Sequence, residues 1–315
     1  MAWHWQPGES RQLSLWSNRD EWFSRPSQPL AQWPERPDWI GGRDLLAGGS
    51  WLLVDRKAGR LAALTNVRER DDALHASGAH QSLQTSGSHQ NPQTSGLHQN
   101  PQTSGSHRNP QSSASIEDGK RSAPGSPLSR GLLVAKVLEA GAVEAVETEA
   151  ARYAGFNLLL IDWRAGKAEV LSNRSADTDA GAVPRRRLGL GPGSLSNGHP
   201  DTPWPKQRRL EAALEAARAL DTCAWIHAGW EALRDPSLDA GLEDQEPRML
   251  RNRPDPRQLA AVFVDTEVYG TCQSTLVQVD WRGRIEIRER TWVRQSASAR
   301  EPIGSREVVW TEGVG

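Results

Sequence analysis

Residues 17–66 run SNRDEWFSRPSQPLAQWPERPDWIGGRDLLAGGSWLLVDRKAGRLAALTN, and the order of signals in this stretch decides the fold. Just before it, Gln12-Leu13-Ser14-Leu15-Trp16-Ser17 alternates polar and apolar residues, the pattern of a half-buried strand. Asn18, Arg19, Asp20 and Glu21 therefore sit where that strand ends and present polar groups together. The pairs Gly41-Gly42 and Gly48-Gly49 flank Arg43-Asp44 and predict tight turns or close backbone approach. Two more strands follow, Trp51–Asp55 and Arg60–Thr65, closing on Asn66.

Outward from this block, strand-like runs fall at Phe156–Trp163, Ala168–Ser172, Ala260–Asp265, Ser274–Asp280 and Arg284–Trp292. The short turns Arg164-Ala165-Gly166-Lys167 and Trp281-Arg282-Gly283 join neighbours as antiparallel hairpins. Helices are predicted over Arg130–Tyr153, broken at Gly141, over Lys206–Leu220 and over Thr222–Arg234. In the second of these Leu210, Ala213, Leu214, Ala217 and Leu220 share a face, Asp201 or Thr202 is the expected cap, and Pro203 and Pro205 suit the first turn. Hairpin strands with grouped helices argue for an α+β class rather than a doubly wound parallel sheet.

Residues 73–127 break the pattern. From His80 to Ser115 a nine-residue unit repeats in variations on HQNPQTSGS, with Pro, Gly and Ser and almost no large apolar side chain. Such a segment cannot bury enough surface to offset the entropy of ordering, so it is expected to be a disordered low-complexity insert. Its evenly spaced histidines lack Cys or acidic partners, and no metal site is assigned to them. The chain then divides into residues 1–72, the insert 73–127 and residues 128–315, the first and last forming one domain.

The 315 residues carry 38 basic and 39 acidic side chains, which leaves no overall field to attract nucleic acid. Cys223 and Cys272 are too few for a disulfide framework and suit a reducing compartment. No apolar run is long enough to span a bilayer, and the start has no leader pattern, so a cytoplasmic location is expected. Half of the 14 tryptophans lie in the first 51 residues; core filling accounts for them, with a pocket for a flat ligand as the alternative. Phosphate-loop, dinucleotide, HExxH and CxxC motifs are missing. The runs Arg185-Arg186-Arg187 and Arg208-Arg209 read as solvated faces.

Asn18-Arg19-Asp20-Glu21, followed by GGRDLLAGGSW and GRLAALTN, resembles the NRDE family, the proteins related to the transport-and-Golgi-organisation protein. The resemblance continues through Ser129–Leu133, Gly155–Leu160, Leu195-Ser196-Asn197, Asp201–Lys206 and Tyr269–Thr275. It implies a four-layer αββα sandwich of the N-terminal-nucleophile hydrolase type. In that class an N-terminal Cys, Ser or Thr attacks while its own α-amine acts as base. Family members usually begin Met-Cys, whereas this chain begins Met1-Ala2, and alanine has no nucleophilic atom. Ala2–Gly8 is similar to the end of the family's first strand and its turn, which leads to the expectation of a mis-called start with a cysteine upstream and an open corner beside Met1.

The resemblance carries Arg19 and Asp20 over as residues that orient a nucleophile; a strand-end ion pair is the alternative. Asn66 and Asn197 are carried over as amide donors of an oxyanion or substrate pocket, with a positive-φ turn residue as the alternative at Asn197. Cys272 stands where the family has Arg, and a thiol cannot replace a fixed cation. Arg19, Asp20, Asn66, Asn197 and Cys272 are expected to converge, with Asp20 paired to Arg19 or Arg43. The chain as written therefore reads as non-catalytic or weakly catalytic, a binding or trafficking factor for a small ligand. Relatives linked to haem handling make haem the implied ligand, with His199 and His227 (and His4 or Cys272) as conceivable iron ligands. No cofactor is required. A cysteine amidohydrolase acting on a small amide is the alternative if an upstream Met-Cys start exists, and an interaction scaffold is a further one.

Overall fold

The computed structural model describes residues 1–67, 128–174, 184–238, 258–292 and 305–311. The expected insert, residues 73–127, lies outside the described residues. Two antiparallel sheets form the body, with helices against them, so the molecule is of mixed α+β type.

The first sheet holds six strands: β1 (Ala2–Trp5), β2 (Arg11–Trp22), β10 (Gly191–Ser194), β11 (Tyr269–Asp280), β12 (Ile285–Trp292) and β13 (Ser305–Thr311). Their order is β10-β1-β2-β11-β12-β13. The second holds β3 (Ser27–Trp33), β4 (Arg36–Asp44), β5 (Leu52–Asp55), β6 (Arg60–Asn66), β7 (Phe156–Asp162), β8 (Lys167–Ser172) and β9 (Arg185–Arg187), in sequence order. Helix α1 (Gly131–Ala140) and a 3-10 helix (Val143–Arg152) cover the second sheet, burying Leu133, Val134, Val137 and Leu138 against Leu53, Ala62 and Leu158. Helices α2 (Pro205–Ala216) and α3 (Thr222–Leu233) cover the first, burying Leu210, Leu214, Trp225 and Trp230 against Ala2, Trp16 and Leu276. Between the sheets lies a third apolar cluster, in which Trp3, Trp5, Leu13 and Leu15 meet Ile40, Val54, Leu61, Leu159 and Ile161. Among the described residues no helix is long and apolar enough to cross a membrane.

Several elements depart from the sequence pattern for physical reasons. Strands β3 and β4 went unread because Pro29 and Pro37 punctuate them, yet Pro29 falls in the register shift between Gln28 and Ala31, where a missing N–H does little harm. Gly41 and Gly42 are not turn residues. A Cβ on Gly41 would come within 2.4 Å of the Leu52 carbonyl, and one on Gly42 within 2.1 Å of the Trp51 ring, so both serve close approach, while Gly48 has φ 75° and makes the turn. The strand expected over Ala260–Asp265 is a 3-10 turn (Gln258–Ala260) followed by bends. Strand β12 pairs with β11 only over Gln273–Val279, and the run meets the start of β11 at one point, through the Asp265–Gly270 bridge and the Thr271 N–H donated to the Val264 carbonyl at 2.8 Å.

Helix α1 stops as expected at Gly141, whose φ is 67°, but the chain continues as the 3-10 helix. Helix α2 starts at Pro205 with neither Asp201 nor Thr202 as its cap; the Gln207 side chain accepts from the Trp204 N–H instead, at 2.8 Å. In α3 the Asp221 carboxylate accepts from the Ala224 N–H at 2.9 Å.

A carboxyl group is sealed between the sheets. Glu289 on β12 is 2% exposed, accepts the Leu30 backbone N–H at 2.7 Å and lies 3.2 Å from the Thr275 hydroxyl. Burial raises its pKa to about 7, against the pull of those hydrogen bonds and of Arg19. Its folded pKa exceeds the ordinary 4.5, so the stability it contributes is complete below pH 4.5 and is lost as pH rises through 7. The loss is about 3 kcal/mol. Glu289→Gln keeps an acceptor for Leu30 but does not titrate. Denaturant unfolding at pH 5 and pH 8 should show the variant gaining on the wild type by roughly that amount at the higher pH; a constant difference would show that Glu289 does not titrate in this window.

Candidate functional site

The pleat of β2 separates the four polar residues that the sequence places together. Alternate side chains of a strand point to opposite faces. Asn18 and Asp20 face the helical layer, with Trp16, while Arg19 and Glu21 face the space between the sheets, with Leu13 and Leu15. Asn18 Nδ2 donates to the carbonyls of Leu233, at the end of α3, and Val262, at 2.8 and 2.9 Å. Its Oδ1 accepts from Ser274 Oγ at 2.6 Å, and Ser274 Oγ in turn accepts the Trp292 indole N–H. Asn18 is thus a half-buried clamp between strand and helix.

Asp20 accepts from Thr271 Oγ1 at 2.7 Å, and that hydroxyl accepts from the Val264 N–H. The expected pairing of Asp20 with Arg19 or Arg43 does not form. Arg19 stands on the opposite face, its guanidinium 4.3 Å from the Trp51 ring centroid and donating to Gln273 Oε1 at 3.1 Å. Arg43 is engaged by Glu35 at 2.6 Å and lies over Trp33.

Cys272 occupies the irregularity between β2 and β11, where the register slips between Thr271 and Gln273. Its thiol lies near the carbonyl oxygens of Glu21 and Gly270, and burial, with Asp20 and Glu21 adding to it, pushes its pKa up to about 11. Such a thiol is not a nucleophile near neutral pH.

The start of β1 is the meeting point of the remaining groups. The Met1 nitrogen is buried and donates to the Leu195 carbonyl at 2.9 Å. As an amine there, burial lowers its pKa to about 5; Lys206 pushes the same way and Asp20 opposes. Lys206 itself is buried and donates to the Leu259 carbonyl at 2.7 Å. Just beyond Leu195, Asn197 Nδ2 donates to the Asn66 carbonyl at 2.9 Å, and Thr65 Oγ1 donates to the Ser196 carbonyl at 2.7 Å. Asp20 and the Leu195–Asn197 segment therefore adjoin the Met1 nitrogen, Asn66 follows through Asn197, and Arg19 lies on the other side of the sheet. The expected open corner is closed: Ala2 has no exposed surface and packs on Trp16 and Leu210.

Asn66 and Asn197 come together, at the end of β6 and in the loop after β10. Asn197 spends its donor on Asn66, whose own side chain is exposed. The residue that holds this loop is one the sequence reading passed over. Asn157, fully buried in β7, donates through Nδ2 to the carbonyls of Ser196 and Gly198 at 3.1 and 2.9 Å and toward Thr65 Oγ1. A single Asn inside the apolar run Phe156–Ile161 was the available signal.

Three histidines lie among the described residues. His227 is exposed on α3, His199 Nδ1 is buried without a partner, and His4 shares a hydrogen bond with Glu215 at 2.8 Å. Among the described residues no group of three His, Cys, Asp or Glu could hold a metal ion.

The family model described as Transport and Golgi organisation 2 matches residues 1–87 and 113–294, and the chain belongs to that family. A Transport and Golgi organization 2 homolog of Mus musculus is 25% identical over 304 residues, covering 91% of this chain and 88% of its own. The corresponding protein of Homo sapiens is 26% identical over 300 residues, covering 91% and 88%. That of Bos taurus is 28% identical over 305 residues, covering 89% and 86%.

Two outcomes follow from the site. With iodoacetamide at pH 8, Cys223, exposed at the start of α3, should be alkylated well before the half-buried Cys272, whose thiol stays protonated; intact-mass analysis reads this, and equal rates would contradict the raised pKa of Cys272. Asn157→Ala takes a donor from the Gly198 carbonyl and leaves the Ser196 carbonyl with Thr65 Oγ1 alone, and should cost roughly 1–3 kcal/mol in chemical denaturation. A loss under about 0.5 kcal/mol would mean the loop is held otherwise.

Proposed function

We propose that this member of the Transport and Golgi organisation 2 family is a non-catalytic small-ligand-binding factor with a trafficking-type role. The observation that carries the reading is at β1 and the β2–β11 irregularity. Position 2 is an alanine sealed beneath α2, and the one cysteine near it, Cys272, is held protonated by burial. No nucleophile and base stand together there. The transport role is taken from the names of the mouse, human and bovine relatives. The N-terminal-nucleophile type of sandwich is likewise our inference, supported by helices on the outer faces of two stacked antiparallel sheets.

Haem enters as a candidate cargo through its apolar ring and its carboxylates. An amidohydrolase remains the competing reading, favoured by the buried Met1 nitrogen beside Asp20 and Lys206, and it requires a mature chain that starts with cysteine. Two measurements decide. Hemin titrated into purified full-length protein should give a saturable change in the Soret band and in tryptophan fluorescence; an unchanged Soret band at micromolar protein removes haem as the cargo. Mass spectrometry of protein from the native locus should find no N-terminal cysteine, and a cysteine there, with amine release from small amides, would overturn the non-catalytic reading.

A further inference from the structure

We propose that the outer edge of β13 pairs with the β13 of a second copy of this chain, antiparallel about a two-fold axis, so that two six-stranded sheets join into one continuous sheet. Such a pairing is independent of any ligand the protein binds.

Four strands end the two sheets, β10 and β13 in the first and β3 and β9 in the second. An edge strand offers a row of unpaired N–H and C=O groups, and proteins that stay single blunt it with proline, charge, irregularity or shortness. Three of the four edges here are blunted. Strand β10 is only Gly191-Pro192-Gly193-Ser194, and its proline has no N–H to offer. Strand β9 is three exposed arginines, Arg185-Arg186-Arg187. Strand β3 carries Pro29 within a register shift, and the N–H of the next residue, Leu30, is already taken by Glu289 at 2.7 Å. Strand β13 has none of these devices. Its seven residues, Ser305–Thr311, include neither Pro nor Gly and keep an unbroken register with β12 from Trp292 to Glu286. Among the described residues no strand takes its other edge. Val308 and Trp310 turn toward the inter-sheet core and are only partly buried, while Val309 on the other face is 45% exposed.

The sequence of β13 is complementary to itself. Residues directly opposite in an antiparallel pair share a face, and their side chains meet. A register centred on Val308 pairs all seven residues. It sets Val308 against its own copy and Arg306 against Trp310 on one face, and Glu307 against Val309 on the other. No like charges meet. Arg306 makes no ion pair among the described residues, so its guanidinium is available to lie on the indole of the opposite Trp310. Glu307 already pairs with Arg288 and Arg290 of its own chain, both at 3.1 Å, and needs no cation from the second copy. Centring the register on Glu307 instead would set two carboxylates face to face. A two-fold pairing uses up the edge in both copies, so assembly closes at the dimer.

Light scattering from the full-length protein at micromolar concentration should give twice the mass of the chain. Val308→Lys brings two ammonium groups together on the axis and should raise the dimer dissociation constant at least tenfold. Disulfide trapping reads the register without relying on that variant. In a Cys223→Ser background, Val308→Cys should cross-link two chains on mild oxidation, because opposed residues of an antiparallel pair stand at a separation that a disulfide spans. Arg306→Cys in the same background should not, since the two copies of residue 306 lie about 14 Å apart along the strands. A monomer by scattering would mean that another part of this chain or a different protein covers the edge, and would overturn the proposal. A dimer that Val308→Lys leaves intact, or cross-linking through Arg306→Cys in preference to Val308→Cys, would overturn it equally.

Discussion

The alternation of side chains along β2 is the constraint on which the rest of the molecule depends. This strand lies inside the first sheet, between β1 and β11, so each of its side chains must go either to the helices or to the opposing sheet. Leu13 and Leu15 fill the space between the sheets, and Trp16 fills the space beneath α3. Once those apolar residues are placed, the pleat dictates that Asn18 and Asp20 follow Trp16 and that Arg19 follows Leu15. A shift of one residue would bury Arg19 under the helices and turn Asn18 toward Trp51. The polar residues at the end of β2 are held in place by the packing of the apolar residues before them.

The same alternation gives Arg19 and Asn18 different physical tasks. Asn18 satisfies carbonyls left over at the end of α3 and after Val262, which a helix terminus and an irregular buried segment cannot satisfy internally. Arg19 carries its charge into the seam between the sheets, where Trp51 covers its face and Gln273 takes one donor. Glu289 sits in that same seam with an elevated pKa. The seam is thus apolar toward β1 and polar toward β3, and its polar part depends on groups contributed by both sheets.

What could be read from the sequence was what periodicity controls. The strands β2, β5, β6, β7, β8, β11 and β12 and the helices α1, α2 and α3 all announced themselves, because each has a regular apolar face. Strands β9 and β10 did not. Arg185–Arg187 and Gly191–Ser194 have no apolar alternation, and they are strands only because two sheet edges were left for them to pair with. The site was less legible than the fold. Asn18 to Glu21 are adjacent in sequence, but adjacency in a strand means opposite faces, so the expected Asp20–Arg19 pair could not form. Asn157 and Lys206 were hidden for a different reason: their importance lies in which carbonyls they reach, and those belong to Ser196, Gly198 and Leu259, far away along the chain.

Strand β2 pairs with β11 over nearly its whole length, and the partners are separated by some 250 residues. A ribosome adding about 5–20 residues per second needs on the order of tens of seconds to bring β11 out after β2 has emerged. During that interval β2 can pair only with β1, and its other edge offers unpaired backbone groups flanked by Leu13, Leu15 and Trp16. Strand edges of this composition readily recruit a second chain. The protein's period of greatest exposure to aggregation is therefore its own synthesis, and a truncated product ending before Tyr269 would keep that edge permanently uncovered.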